Sequence, residues 1–296
     1  MRGAHPEREV ETAIERSVAV ARGERVLVAC SGGVDSIALA AALHAVAPRL
    51  ELTLCLGHVN HAVRASAWQD ECVVLDLAAR LDLPVEIALL AGVDGDEAAL
   101  RAARYAALAE SAWRKGCSAI ATAHHAQDQS ETVLLALLRG TGPAGLNGIA
   151  ARRILQPGIE IVRPLLAVPP EALRGYCHAK ALPYAVDPTN ADASKRRNAV
   201  REALETLRPL FPGLDRAVAR AAETAGAERS GNRRAALRRL VRERFAGDDE
   251  LRDIDFAHVE AAVRAIESRR TGTYLMKPGI HLRIERGLMK GIITEQ

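Results

Sequence analysis

The feature that most constrains this fold is a repeated alternation of short, apolar, β-branched segments with longer segments of helical periodicity. Four segments predict strands: Arg25–Cys30, Leu52–His58, Pro84–Leu90 and Ser118–Ala123. Helical patterns follow them in turn, over Ile37–Val46, Trp68–Leu81, Asp96–Lys115 and Gln129–Arg139. Parallel strands need a crossover connection, which is usually a helix. The alternation therefore predicts an α/β fold built on an open, mostly parallel, doubly wound sheet.

The predicted helices have defined inner faces. These comprise Val74, Leu77, Ala78 and Leu81 in one helix, and Val133, Leu134 and Leu137 in another. Further along, Ile159–Val162 predicts a fifth strand, and helices are expected over Pro169–Leu182 and Asn198–Leu207. Apolar residues at helical spacing mark the side of a helix that packs on a core.

The character of the chain changes beyond Leu214, where Ala and Arg dominate and seven Arg fall between Arg229 and Arg244. Phe256–Ser268 predicts another helix, and Thr273–Gly279 with Ile280–Ile284 predicts a hairpin that turns at Pro278-Gly279. We therefore expect a first domain over residues 1–212 and a smaller, mainly helical domain over residues 213–296. The Arg run is either a surface for RNA phosphates or a solvated helix face.

Composition excludes several classes of protein. Hydrophobic residues make up 49% and charged residues 26%, which is typical of a globular chain. No apolar run is long enough for a membrane helix and no secretory signal is visible, so we expect a cytoplasmic protein. The five cysteines are odd in number and lack any C-x-x-C, which argues against a disulfide framework or a common zinc or iron–sulfur site. We expect them to be buried apolar residues.

The sharpest motif is C-S-G-G-V-D-S, which lies between the first predicted strand and the helix that follows it. Glycines allow a ligand to approach the backbone closely, and a helix N-terminus presents unpaired N–H groups to an anion. The motif has neither the G-K-[ST] of a Walker loop nor G-x-G-x-x-G. It predicts a phosphate-binding loop formed by Ser31, Gly32, Gly33, Val34, Asp35 and Ser36.

This loop resembles the pyrophosphate-binding loop of the N-type ATP pyrophosphatases, which adenylate a substrate and release diphosphate. Later segments resemble motifs of the tRNA(Ile)-lysidine synthases in that superfamily, in the same order and over about residues 20–210: they are Gly57–Arg64, Arg101–Tyr105, Thr122–Thr132, Arg163–Leu166 and Asp187–Arg201. One position departs from the family pattern, since Gln127 replaces the first of two adjacent Asp residues and Asp128 is retained.

The resemblance implies a fold of the adenine nucleotide alpha hydrolase type and a ligase that forms a carbon–nitrogen bond. ATP would adenylate the wobble cytidine of tRNA(Ile) with a CAU anticodon, and free L-lysine would displace AMP to give lysidine. Two alternatives stay open, a tRNA thiolase of the same superfamily and a nucleotide- or RNA-binding protein without turnover. A homodimer is also possible.

The resemblance also implies roles for particular residues. The expected Mg²⁺ ligands are Asp35 and Asp128, because this ion prefers hard oxygen ligands. The expected catalytic residues are Asp35, Arg104, His125, Asp128 and Glu131, with Asp128 and Glu131 on one helix face where they could attract the lysine ammonium. ATP would be bound by the loop together with His58, Asn60 and His61, and tRNA or phosphate contacts would come from Arg64, Arg197, Asn198 and Arg201.

Overall fold

The computed structural model describes residues 6–17, 19–60, 67–90, 97–141, 146–185, 195–229, 256–268, 270–277, 280–286 and 288–294. The chain forms two compact units, Met1–Ala222 and Glu223–Gln296. The domain boundary predicted near Pro212–Gly213 lies in the turn between two helices of the first unit, and it stays a prediction. In the described part of the chain, no helix is both long enough and apolar enough to cross a bilayer.

The first unit alternates strands and helices as predicted. Its strands are β1 (Arg25–Ala29), β2 (Thr53–Asn60), β3 (Val85–Leu89), β4 (Ala119–Ala121), β5 (Arg152–Gln156) and β6 (Ile159–Val162). Its helices are α1 (Pro6–Arg16), α2 (Val34–Leu50), α3 (Ala67–Leu81), α4 (Glu97–Arg114), α5 (Ala126–Leu138), α6 (Pro170–Ala179), α7 (Lys195–Leu207) and α8 (Leu214–Arg229), the last of which continues into the second unit. Helix α1 and strand β5 are additional to the predicted elements.

The strands form one six-stranded sheet in the order β3-β2-β1-β4-β6-β5. All neighbouring strands run parallel except β5, which pairs antiparallel with β6 at the edge. The prediction of an open, mostly parallel sheet is therefore confirmed. The strand order reverses direction between β1 and β4, and ligands of such sheets bind where the strands end beside this switch point. The loops after β1 and β4 are thus placed together at one edge of the sheet.

Apolar residues cover both faces of the sheet. One buried cluster joins Val26 and Val28 of β1 to the inner sides of α1, α2, α3 and α6. A second cluster joins Leu27 of the same strand to Tyr105, Leu108 and other residues of α4. Consecutive strand residues point to opposite faces, so β1 is buried on both sides, which is typical of parallel sheets. This packing fixes the position of the end of β1 in the fold.

The inner face predicted for α3 is confirmed, since Val74, Leu77 and Ala78 are buried and Leu81 packs against the core. The inner face predicted for α5 is wrong in part, because Leu137 is 54% exposed. Helix α5 instead buries its polar N-terminal end, where Gln129, Ser130 and Glu131 are enclosed. The hydrophobic pattern could not indicate this, because here polar contacts rather than apolar packing hold the helix.

The second unit contains helix α9 (Phe256–Glu267) and an antiparallel sheet of β7 (Gly272–Lys277), β8 (Ile280–Glu285) and β9 (Leu288–Thr294). Val259 and Val263 of α9 pack on Met276, Leu282 and Ile284 of the sheet. The predicted helix and the two hairpin strands are confirmed, and β9 adds a third strand. The turn at Pro278-Gly279 and nearly all of the Arg229–Arg244 run lie outside the described residues.

Candidate active site

The loop between β1 and α2 has a backbone that requires glycine. Gly32 has a φ of +90°, in the left-handed region that side chains disfavour. A Cβ atom at this position would lie 3.0 Å from the backbone oxygen of Asp70 in α3. The loop is also fixed by Ala185, whose N–H donates to the Gly32 carbonyl over 2.9 Å. Conformation and close packing therefore both exclude a larger residue.

The side chain of Ser36 shapes this loop from inside. Its hydroxyl donates to the Gly33 carbonyl over 2.8 Å and accepts the Ser31 N–H over 3.1 Å. Gly33 is the N-cap of α2 and supplies no side-chain cap, so the N–H groups of Val34 and Asp35 at the start of the helix have no intrahelical partner. These donors and the positive end of the helix suit a phosphate group.

The loop after β4 brings a histidine between two carboxylates. His125 is the N-cap of α5, and its backbone N–H donates to Asp128 Oδ2 over 3.0 Å. Its imidazole Nε2 lies 3.6 Å from Asp35 Oδ2, and its Nδ1 lies 3.6 Å from Asp128 Oδ2. Asp35 belongs to the phosphate-binding loop, so the ends of β1 and β4 contribute to one site, as the strand order requires.

Two adjacent histidines of this site have opposite pKa shifts. Burial lowers the pKa of His125, but the contact with Asp35 and the charge of Asp128 outweigh burial, so the pKa is raised overall. Burial, with the positive charges of Arg163, Arg101 and Arg104, lowers the pKa of His124 to about 3. His124 is therefore neutral at physiological pH, and its Nδ1 lies 2.9 Å from Thr122 Oγ1.

The carboxylates have the chemistry of a magnesium site that is completed by phosphate. Asp35 Oδ1 is buried without a hydrogen-bond partner, as is His125 Nδ1. Among the described residues, no group of three or more His, Cys, Asp or Glu side chains could enclose a metal ion. Mg²⁺ is usually bound through one or two carboxylates together with substrate phosphates and water. Asp35 and Asp128 fit that mode of binding.

Glu131 is enclosed by two arginines of α7. Its side chain is 1% exposed, and its two carboxylate oxygens each lie 2.8 Å from a guanidinium, that of Arg197 or that of Arg201. Burial raises the pKa of Glu131, but the hydrogen bonds and charges of the two arginines lower it by a larger amount, so the net shift is downward. Arg197 also lies 3.7 Å from Asp128 Oδ1. Two predicted phosphate ligands are thus paired with a predicted catalytic carboxylate.

Two of the residues predicted to bind ATP form hydrogen bonds with other protein groups. His58 is buried, and its Nδ1–H donates to the carbonyl of Cys30 over 2.9 Å. Asn60 donates to Glu71 of α3 over 3.0 Å. The contact of His58 with Cys30 favours positioning the loop, and a direct contact of His58 or Asn60 with ATP stays a prediction. His61 and Arg64 lie outside the described residues.

Arg104 and Asn198 occupy different helices. Arg104 lies on α4 with its guanidinium carbon 5.7 Å from the centre of the Tyr105 ring. Asn198 lies on α7, one residue after Arg197. Asp70 of α3, whose backbone lies against Gly32, was not among the predicted site residues. No motif around Asp70 indicates this contact, which depends on the packing of α3 against the loop.

The five cysteines are all reduced, and the structure buries four of them. Burial raises the pKa of Cys55 to about 11 and that of Cys177 to about 12. The prediction of burial is wrong for Cys72, which lies on the exposed side of α3. The buried thiols are therefore poor nucleophiles near neutral pH.

An open, mostly parallel sheet whose first strand is followed by a glycine-rich loop suited to phosphate is typical of a nucleotide-binding α/β protein. A family model described as the PP-loop domain matches residues 6–207. The chain belongs to this family.

Similar curated proteins are named tRNA(Ile)-lysidine synthase. That of Salinispora tropica is 47% identical over 203 residues, which cover 67% of this chain and 61% of the relative. That of Alkalilimnicola ehrlichii is 42% identical over 248 residues, which cover 81% of this chain and 54% of the relative. The chain thus spans between 54% and 62% of the length of the first such relatives.

A solved structure shares the fold at low sequence identity. The U34-tRNA thiolase NcsA from Methanococcus maripaludis, described with its [4Fe-4S] cluster, superposes with a TM-score of 0.63 at 16% identity. The match covers 74% of this chain and 78% of that chain. At this identity the likeness supports the fold only.

Proposed function

We propose that this chain uses ATP to join L-lysine to the wobble cytidine of a tRNA(Ile) with a CAU anticodon. The observation that carries the proposal is the meeting of the phosphate-binding loop with Asp35, His125 and Asp128 at one edge of the sheet. Relatives that are 36% to 47% identical and named for this reaction support the choice of substrates.

The reaction has two steps that balance. Cytidine O2 attacks the α-phosphorus of ATP, and diphosphate leaves. The ε-amine of lysine then attacks C2 of the adenylated base, the C2–O2 bond breaks, and AMP leaves with the oxygen. The amine must lose its proton before it attacks, because an ammonium has no lone pair.

The first step needs charge stabilisation on the triphosphate. The N–H groups at the start of α2 would hold the phosphates, and Asp35 with Asp128 would hold Mg²⁺, which supplies positive charge to phosphate oxygens. His125 lies between Asp35 and Asp128, where its imidazole could donate a hydrogen bond to an oxygen that gains negative charge.

The lysine ammonium requires an accessible carboxylate. Asp128 keeps 24% of its side chain exposed, whereas Glu131 keeps 1% and is paired with Arg197 and Arg201. The contacts therefore favour Asp128 over Glu131 as the carboxylate that attracts the ammonium, which is the alternative to its role toward Mg²⁺, and they favour a positioning role for Glu131. Gln127, which donates to Glu131 over 3.4 Å, adds to that positioning.

A tRNA thiolase is the second candidate, since a thiolase shares the fold. Transfer of sulfur through a protein thiol would require a reactive thiolate. The raised pKa values of Cys30, Cys55, Cys117 and Cys177 oppose this role.

The proposed function predicts that diphosphate release requires tRNA(Ile), and that repeated turnover of ATP to AMP and diphosphate requires lysine as well. A diphosphate-release assay with each substrate omitted in turn tests this. ATP conversion that is independent of tRNA would contradict the proposal.

A further inference from the structure

Four arginines of the first unit gather around Tyr105 beside the candidate active site. The guanidinium carbons of Arg101, Arg104 and Arg153 lie 5.5, 5.7 and 5.9 Å from the centre of the Tyr105 ring. Arg163, which follows β6, is the fourth, and it interacts electrostatically with Tyr105. Strand β5, helix α4 and the end of β6 each contribute to this cluster, which we call the arginine cluster.

No carboxylate balances these charges among the side chains that the structure describes. Two other arginines of the same unit, Arg152 and Arg114, have acidic partners. Arg152, next to Arg153 in the chain, lies 2.6 Å from Glu24 and 2.5 Å from Glu160. Arg114, at the other end of α4, lies 3.1 Å from Glu86. The arginine cluster differs from these two arginines in combining several guanidinium groups with no acidic partner.

Arg163 is the least accessible member of the arginine cluster. The residue is 4% exposed, its Nη1 donates to the Ala150 carbonyl over 2.6 Å, and its Nε is buried without a partner. Burial lowers the pKa of Arg163, as do Arg153 and Arg101, while Tyr105 opposes the shift. A buried cation without a counter-charge is unfavourable, so an anion bound nearby would offset the desolvation cost of the Arg163 guanidinium.

A cavity of about 440 Å³ opens beside the cluster. Arg101, Arg153 and Gln156 supply its polar lining, and Ala102, Ala106 and Leu155 supply an apolar wall. Pockets for small ligands have volumes from about 300 to 1,000 Å³ and combine an apolar wall with a few polar groups. The cavity therefore has room for a phosphate with an attached sugar or base.

We propose that this cavity binds one nucleotide, with its phosphate between Arg101 and Arg153, as a site separate from the loop at Ser31–Ser36. Arginine suits phosphate because its planar donors form two parallel hydrogen bonds. The inference deepens the proposed function and rests on it for the source of the nucleotide, which is the tRNA strand. A free mononucleotide offers the same chemistry, and the experiment distinguishes the two sources.

The test measures binding of a fluorescent single-stranded oligoribonucleotide to the full chain by anisotropy, without ATP or lysine. Arg153→Gln should weaken binding about tenfold or more, because it removes a charge-assisted contact. Arg153 is exposed, so the fold should tolerate the change, and Arg101→Gln provides a second variant. Arg114→Gln is the matched control, since it removes one arginine from α4 at a place that is already paired.

The salt dependence gives a second readout. Loss of one phosphate contact to a single strand should reduce the slope of log K against log salt by about 0.7. Displacement of the oligonucleotide by AMP from the parent protein would show that a free nucleotide also fits, and failure to displace would assign the cavity to the strand. Unchanged oligonucleotide binding and slope in both Arg153→Gln and Arg101→Gln would overturn the inference. Since no turnover is measured, this outcome is independent of whether the chain forms lysidine.

Discussion

The candidate active site has two sides with opposite electrostatics. On the carboxylate side, Asp35, Asp128 and Glu131 surround His125 and raise its pKa. On the arginine side, Arg101, Arg104 and Arg163 contribute to lowering the pKa of His124 to about 3. The two histidines are adjacent in the chain, so the change of sign occurs within one residue after β4.

The difference between the two sides separates charges that are paired within the protein from charges that are available to a ligand. Glu131 is balanced by Arg197 and Arg201, so its charge is already satisfied within the protein. The arginine cluster has no acidic partner among the described side chains, and Asp35 retains a buried oxygen without a hydrogen bond. Satisfied charges stabilise the fold, whereas unsatisfied buried charges are costly and therefore indicate where ligands bind.

The largest expected effect comes from removing a carboxylate that is predicted to bind Mg²⁺. Asp35→Asn and Asp128→Asn should each lower the rate of adenylation by about 100-fold or more, because each removes a predicted Mg²⁺ ligand. Gln127→Ala is the control, as no charge is lost. Diphosphate release in the presence of tRNA measures the rates. An equal loss of rate in Gln127→Ala and Asp128→Asn would contradict the assignment of the Mg²⁺ ligand to Asp128.

The loop should be almost as sensitive. Gly32→Val should abolish ATP binding, since the substitution is disfavoured at a φ of +90° and meets Asp70 at 3.0 Å. Gly23→Val is the matched control, because Gly23 has a φ of +75° with no atom within 4 Å of an added Cβ. Titration calorimetry with ATP compares the two variants. Equal ATP affinity in Gly32→Val and the parent chain would remove the loop from the phosphate site.

Glu131 should matter mainly for stability. Glu131→Gln leaves Arg197 and Arg201 without their counter-charge, which should lower the free energy of unfolding by about 1–3 kcal/mol after allowing for the partial exposure of both arginines. The lowered pKa of Glu131 means that this contribution is present above about pH 4.3 and is lost as the pH falls through the shifted value. Urea unfolding at pH 7 measures the change. Full stability together with a large loss of lysine affinity would instead favour direct binding of lysine by Glu131.

The smallest effects test the contrast between the histidines. His124 resists protonation in the folded state, so its contribution to stability is complete above about pH 6.5 and falls as the pH drops toward 3. His125 has a raised pKa, so its contribution is complete below about pH 6.5 and is lost as the pH rises through the raised value. Urea unfolding in EDTA between pH 5 and 8 should show that His124→Gln and His125→Gln change the pH dependence of the free energy of unfolding in opposite directions, by at most about 1.4 kcal/mol per pH unit for one proton. Slopes that change in the same direction would contradict the two-sided description.

Much of the fold follows from local patterns, because β1, β2, β3 and β4 are short apolar runs, each followed by a helical repeat. The sequence pattern does not predict strand β5, because its residues are largely exposed and form no apolar run. Ile154, for example, is 70% exposed. The spacing of Leu137 fits a helical repeat and therefore predicts that it is buried. The buried end of this helix is polar instead, and Leu137 is exposed.

The candidate site was predictable only in part. The motifs identify Asp35, His125 and Asp128, because strand ends of a parallel sheet converge on one edge. The pairing of Glu131 with Arg197 and Arg201 joins residues 66 and 70 positions apart, and sequence spacing does not encode such distances. Arg153 reaches the arginine cluster from the antiparallel strand, so its place depends on the element that the pattern missed.

The transfer of labelled lysine to tRNA tests most directly whether this chain forms lysidine. Labelled lysine is incubated with the full chain, ATP, Mg²⁺ and tRNA(Ile) bearing a CAU anticodon, and the nucleosides are then analysed by mass spectrometry. The account predicts that label enters the RNA and that the wobble cytidine is converted to lysidine, with no transfer in Asp128→Asn. Formation of 2-thiocytidine from a sulfur donor, without incorporation of lysine, would contradict the account.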